Sequence, residues 1–249
     1  MDHITRMKIA RIVRFFRPQP TRIPLSVTDI LSDDSAAGDV DQFNRLYYES
    51  GSAGNLQWRG VEMLKNPCDL WMFLELFQKV RPSVLVETGT HNGGSALYFA
   101  EMTRLLGHPC SVITVDINPK FSFSPQEFGI LPIVGYSTDA RVVATVNTAV
   151  RELLDGSPGP VMVTLDSDHS EQNVTRELEL YSPLVTVNSY LIVEDTNING
   201  HPACPDHGPG PWEAVQKFLA NGHSFQPDLS CQRHLLTYFP NGWLQRVSK

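Results

Sequence analysis

The sequence predicts a doubly wound α/β fold: a mostly parallel sheet with helices on both faces, an antiparallel hairpin at its C-terminal end and a helical extension at the N-terminus. Three observations predict it. Apolar runs of strand length that end in acids alternate with stretches of helical period. The first such run breaks into glycine just before a helical pattern starts. The chain then closes on Leu235–Phe239, a Pro240-Asn241-Gly242 turn and residues 243–247, the pattern of a hairpin.

A chain of 249 residues, 41% hydrophobic and 19% charged, is long enough for one well-buried domain and somewhat more. The division expected is an N-terminal basic helix and acidic linker over 1–54, then one domain over 55–249 with a helical cap at 57–80. The formal charge of −7 is uneven, because residues 1–22 carry six Lys or Arg against one Asp, a local +5 that leaves −12 for the rest. So acidic a body is a poor general nucleic-acid binder. Four cysteines (Cys68, Cys110, Cys204, Cys231) are widely spaced with no C-x-x-C, and neither a cleaved signal nor a membrane span is recognisable. A reducing, cytoplasmic setting is expected. There is no internal repeat.

In order, residues 1–17 interleave Ile, Val and Phe with Arg and Lys until Pro18 stops them. One reading is an interfacial helix touching an anionic membrane; the favoured one is a terminal helix packing on the body or on a partner subunit of a homo-oligomer. Residues 28–41 hold five aspartates among Ser, Ala and Gly, which suggests a solvated linker. Leu70–Lys79 is a helical pattern closed by Arg81-Pro82.

Ser83–Glu87 is then a buried strand, followed by the turn Glu87-Thr-Gly89-Thr-His-Asn92-Gly93-Gly94-Ser95. Gly89 permits the turn, and Gly93 and Gly94 admit close approach of a ligand to backbone. The dinucleotide fingerprint G-x-G-x-x-G is absent, so an NAD reading is weak. The E-x-G-x-x-x-G-G pattern looks instead like motif I of class I S-adenosylmethionine (SAM) methyltransferases. That likeness implies glycine backbone against the methionine part of the cofactor and a strand-end acid ordering its ammonium group. It makes Glu87, Gly89, Asn92, Gly93 and Ser95 candidate cofactor contacts.

Residues 95–106 are the first crossover helix, and 110–116 a strand that ends in Asp116, placed for a ribose diol or else capping the next turn. Residues 117–130 form a loop that could cover the site. Ile130–Val134 is a short strand, and Ser137 beyond it is a further cofactor candidate; Asp139 serves beside it or caps the helix that runs to about Leu154. Residues 161–166 and 190–195 are the next strands. Parallel strands bring their ends to one edge, where Asp166, Glu194 and Asp195 converge on the cofactor crevice. Three carboxylates crowded there repel unless something positive lies between them. Carboxylates without thiolates favour a hard ion, Mg²⁺ first; strand-end acids that only cap helices are the alternative.

His169, three residues after Asp166, suits general-base work near neutral pH. Asp168 is either an outer partner of the site or a helix cap. A zinc site could be drawn from His201, Cys204, His207, Cys231 and His234, though the spacing matches no ordinary finger. The favoured reading of 196–211 is a substrate-facing loop or lid. Pro211 opens a helix over residues 212–220.

Two segments together carry a family resemblance: Gln57-Trp58-Arg59-Gly60-Val-Glu-Met63-Leu64-Lys65-Asn66-Pro67, and Val86 to Ser95. The chain resembles the cephalosporin hydroxylase-like, or rhamnosyl O-methyltransferase, group of class I SAM methyltransferases, from about residue 55 to 195 and more weakly beyond. The resemblance implies a Rossmann-like sheet of seven strands, SAM and Mg²⁺ as cofactors, Asp166, Glu194 and Asp195 as metal ligands, and His169 as the base. Tyr136 departs from the family's Gly-Asp at that turn, which touches the adenine side. The activity implied is O-methylation of a hydroxyl on a small-molecule acceptor, a sugar or secondary-metabolite glycoside. The rivals are a non-haem iron hydroxylase, which would want two His and one carboxylate, and a SAM-fold subunit without catalysis.

Overall fold

The computed structural model describes residues 29–30, 32–155, 158–222 and 224–248; the basic segment 1–17 lies outside the described residues. Helix α1 (Asp34–Glu49) comes first, then a two-stranded hairpin of β1 (Gln57–Trp58) and β2 (Val61–Glu62), and α2 (Pro67–Val80). The body follows as β3 (Val84–Thr88), α3 (Gly94–Leu105), β4 (Ser111–Asp116), β5 (Ile130–Val134), α4 (Ala140–Leu154), β6 (Val161–Leu165), α5 (Glu171–Tyr181), β7 (Tyr190–Val193), α6 (Pro211–Ala220), β8 (Phe225–Pro227) and β9 (Trp243–Arg246). The main sheet has seven strands in the order β5-β4-β3-β6-β7-β9-β8. All neighbours are parallel except β9, which runs antiparallel to both β7 and β8.

Alternation along the strands divides the core in two. Leu85, Val112, Met162, Ile192 and Trp243 face α2 and α3, while Val86, Ile113, Val163, Leu191 and Leu244 face α4, α5 and α6. With both faces covered, β3, β6 and β7 are buried at every position, which is why they read as continuous apolar runs. The chain leaves β3 outward to β4 and β5 and returns to β6, so the order reverses between β3 and β6. A ligand crevice belongs outside the strand ends at that point.

Three expectations are corrected. The acidic linker contains a helix: Asp33 caps α1 by accepting from the amides of Ser35 and Ala36, and Asp34 sits in the first turn, where the helix dipole favours an acid. The cap at 57–80 is helical only from Pro67, because Arg59 and Gly60 both have positive φ (52° and 80°) and make the two-residue turn of a hairpin. The C-terminal hairpin pairs β9 with β8, and residues 235–239 are not a strand. Much of the backbone of 235–239 has other partners. Leu235 O and Thr237 N bond the Asn44 side chain, Tyr238 N bonds Asp69, and Tyr238 O accepts from Asn197 N, so these groups are not free to form a ladder.

Candidate functional site

At the switch point a cavity of about 490 Å³ is lined by Gly89, Thr90, Ser95 and Asp116 on one side and Asp166, His169 and Asp195 on the other. The size suits a small-molecule site. Gly89 joins the two sides. Its φ is +85°, and a Cβ there would lie 1.8 Å from the carbonyl oxygen of Asp166, so only glycine lets the ends of β3 and β6 come so close.

Glu87 is fully buried; Ser95 donates to its Oε1 and Thr114 to its Oε2, each at 2.6 Å. Burial pushes its carboxyl up to about 7, against the pull of Lys65 and the two hydroxyls. Asp116 accepts at one oxygen from the amides of Thr90 and His91, both at 2.9 Å, and at the other from Asn118 N. It thereby ties β4 to the glycine turn. Asn92 is not in the cavity lining but donates at 2.6 Å to Glu62, which is. Gly93 (φ +79°) packs under loop 117–130, where a Cβ would strike the Phe121 ring at 2.5 Å. That loop therefore packs against the turn at Gly93, and of residues 117–130 only Ile117 lines the cavity. Ser137 lines the cavity 3.5 Å from the Ser167 hydroxyl, and Tyr136, at the same rim, is 70% exposed. Asp139 caps α4 through Arg141 N.

On the acidic side the positive group is a lysine. Lys65, from the loop after β2, is 2% exposed; its Nζ lies 2.5 Å from Asp166 Oδ2 and 2.6 Å from Glu194 Oε2. Burial alone would lower its pKa, but Asp166, Glu194 and Glu87 around it raise it, so the ammonium stays charged. Thr164 donates to the other Glu194 oxygen at 2.7 Å, and Glu194 does not line the cavity. Burial and Asp166 hold its carboxyl well above the usual range despite Lys65. Asp195, raised by burial and less strongly by Asp166, adopts φ +51°, a strained conformation for a non-glycine residue of the kind that gathers at functional sites.

The His169 imidazole is held between two carboxylates, with Nε2 3.2 Å from Asp195 Oδ2 and 4.0 Å from Asp166 Oδ1. Ligand atoms of Asp166, His169 and Asp195 all lie within 4.8 Å of one another, and this is the cation-competent group among the described residues. Two carboxylates and one imidazole suit a hard divalent ion better than the two-His, one-carboxylate set of an iron oxygenase. Asp168 accepts from Ser170 N, which together with the Ser170 hydroxyl lowers its carboxyl; Ser170 itself caps α5. The zinc cluster does not assemble among the described residues: His201 stacks on Trp212 with ring centroids 4.5 Å apart and bonds Glu213 at 3.0 Å. No residue of 196–210 lines the cavity.

Sequence reasoning missed Lys65, although a signal existed. Three convergent acids call for a cation, and Lys65 is the base embedded in the apolar Met63-Leu64 stretch of the very segment that carries the resemblance. The wall opposite the acids, Glu62 with His91 at 3.8 Å, was also missed, since those side chains meet only through the fold.

The family model described as rhamnosyl O-methyltransferase/CmcI matches residues 51–247. A rhamnosyl O-methyltransferase of Mycobacterium tuberculosis is 37% identical over 217 residues, covering 83% of this chain and 84% of that protein. One of Mycobacterium leprae is 34% identical over 210 residues, covering 83% and 90%. Among solved structures, apo CmcI superposes with TM-score 0.60 at 23% identity, covering 79% of this chain and 78% of that one. CmcI with Mg and SAM gives 0.59 at 21% identity, covering 78% of each. At such identities these two likenesses speak for the fold.

Proposed function

The chain belongs to the rhamnosyl O-methyltransferase/CmcI family and is a SAM-dependent O-methyltransferase; from that premise we propose that it methylates a sugar hydroxyl of a small-molecule glycoside with the help of Mg²⁺. The observation that carries this reading is the single cavity in which the glycine turn of β3 faces the acids of β6 and β7. The hydroxylated acceptor follows the relatives' rhamnosyl substrates, and the ion follows the hard donor set.

The residues fit such an ion. Asp166 and Asp195 would hold it, with His169 beside them; Lys65 keeps Glu194 turned inward, so that Glu194 stands behind Asp166 rather than at the cavity face. Lys65 is the one cation that contacts Asp166 and Glu194, and a divalent ion would bring further positive charge to the acids at the cavity face. When bound, Mg²⁺ would supply Lewis-acid polarisation of the acceptor hydroxyl and SAM the methyl group. His169 would take the acceptor proton, and the two carboxylates flanking its ring stabilise the imidazolium that results. Gly89, Gly93 and Ser95 would seat the cofactor, Asp116 its ribose, and the rigid strand ends would hold donor and acceptor in line.

The test is methyl transfer from labelled SAM to methyl α-L-rhamnopyranoside, with and without EDTA. Transfer that stops with EDTA and returns with Mg²⁺ is expected; EDTA-insensitive turnover removes the ion from the mechanism. Calorimetry should show saturable binding of SAM and none of NAD.

A further inference from the structure

We propose that Lys65 is a resident counter-ion of the acid cluster: its ammonium holds Asp166 and Glu194 in place when no metal is bound and competes with a divalent ion for them, so that the ion is held loosely and exchanges. This rests on the Mg²⁺ reading above and deepens it by naming the residue that sets how tightly the ion is bound.

The geometry puts the ammonium on the acids themselves. Lys65 Nζ lies 2.5 Å from Asp166 Oδ2 and 2.6 Å from Glu194 Oε2, and the lysine side chain is 2% exposed. Thr164 donates to the second Glu194 oxygen at 2.7 Å. Both oxygens of Glu194 and one of Asp166 are therefore engaged. What remains for an ion is Asp166 Oδ1, 4.0 Å from His169 Nε2, and Asp195 Oδ2, 3.2 Å from the same nitrogen. The group able to hold a cation among the described residues is accordingly Asp166, His169 and Asp195, without Glu194. One of the three acids at the strand ends is claimed by the protein's own cation.

The chain around Lys65 fixes the ammonium there. Met63 N donates to Leu56 O at 2.9 Å, and Lys65 N donates to Met63 O at 3.0 Å. On the other side Asn66, itself 0% exposed, caps α2 by accepting from Cys68 N at 2.8 Å, and Pro67 opens the helix. The Glu62 carbonyl packs on the glycine turn, since a Cβ on Gly94 would lie 2.2 Å from its oxygen. A side chain rooted between a helix cap and that turn, and buried to its tip, has little room to leave when an ion arrives. The ammonium and the ion then share Asp166.

The consequence is electrostatic. Charges in a buried site are poorly screened, so an ammonium in contact with Asp166 repels a second cation and weakens the hold of that carboxylate on it. Affinity in oxygen-ligand sites follows the charge count of the ligands and the rigidity of the site. The same ammonium stops Asp166 and Glu194 from repelling each other in the ion-free chain, where an unpaired buried charge would be costly. The site is thus assembled before the ion enters.

The experiment measures Mn²⁺ binding, as a paramagnetic stand-in for Mg²⁺, from the electron paramagnetic resonance of the free ion. Wild type, Lys65→Met, Lys65→Gln and Lys65→Arg are compared, with Mg²⁺ as competitor and melting temperature recorded in EDTA and in Mn²⁺. The two neutral variants should bind Mn²⁺ about tenfold or more tighter than the wild type, whereas Lys65→Arg, which keeps the charge, should stay within about threefold. A neutral variant that folds only with Mn²⁺ present also supports the proposal, because the ion then replaces the ammonium. Neutral variants that bind Mn²⁺ no tighter than the wild type, or more weakly, overturn it. If Lys65→Met does not fold at all, Lys65→Gln decides, since its amide still donates to the carboxylates. Absence of Mn²⁺ binding in the wild type and in every variant overturns the ion reading itself, and this inference with it.

Discussion

Glu87 finds its partners close by, Ser95 eight residues on and Thr114 on the adjacent strand, whereas Asp166 is neutralised by Lys65 from 101 residues away. The same contrast runs through the two sides of the cleft. On the cofactor side Asp116 is oriented by amides of the turn it faces. On the acidic side Lys65 reaches across 101 and 129 residues to Asp166 and Glu194, and farther off Asn44 reaches across 191 residues to Leu235. A cofactor shared by many enzymes is met by a rigid, internally satisfied turn. The acidic side is assembled from distant segments. The sides therefore should fail differently when altered.

The largest expected difference lies in chemistry. Asp195→Asn should lower the methyl-transfer rate by roughly 10³-fold or more, since several kcal/mol of transition-state stabilisation would be lost with the ion. SAM affinity by calorimetry should barely move. Equal loss of SAM binding would mean that the two sides are one unit and the comparison is wrong.

Lys65→Met comes next. Removing the cation leaves Asp166 and Glu194 facing each other in a buried place, and breaking such a pair costs about 3–5 kcal/mol. Denaturant unfolding should show that loss, and Mg²⁺ should restore more melting temperature to the variant than to the wild type. An unchanged stability would indicate that the Lys65 ammonium is not what offsets the two carboxylates.

This division also explains what was legible. The strand runs, the glycine turn and the acids at Asp166, Glu194 and Asp195 could be read because each is a contiguous pattern whose place follows from the sheet. Lys65 could be anticipated only as a need for charge. Residues 34–49 were misread because their aspartates are common in linkers and at helix starts alike, and the deciding contacts of Asn44 are with the far end of the chain. Residues 235–239 have strand composition, but their backbone groups are taken by Asn44, Asp69 and Asn197. No local rule registers a competitor that distant.

Asn44→Ala probes that long-range attachment directly. It leaves Leu235 O and Thr237 N without partners and should lower stability by about 2–3 kcal/mol. Hydrogen exchange should quicken over α1 and 235–238 while the amides of the glycine turn keep their protection. Uniform quickening would make α1 part of the cofactor side as well.

The smallest effect is in pH dependence. Glu87 and Asp69 each have a carboxyl raised by burial to about 7. A raised carboxyl keeps in the folded chain a proton that the unfolded chain has released. Its stabilising contribution is therefore full below the ordinary values, 4.5 for Glu and 3.8 for Asp, and is lost as pH rises to about 7. Unfolding free energy should fall across that window by at most about 1.4 kcal/mol per pH unit for each group. Glu87→Gln, which keeps acceptor and shape, should flatten part of the slope, and Asp69→Asn the rest. If either variant keeps the full slope of the wild type, that carboxyl does not hold its proton in the folded chain.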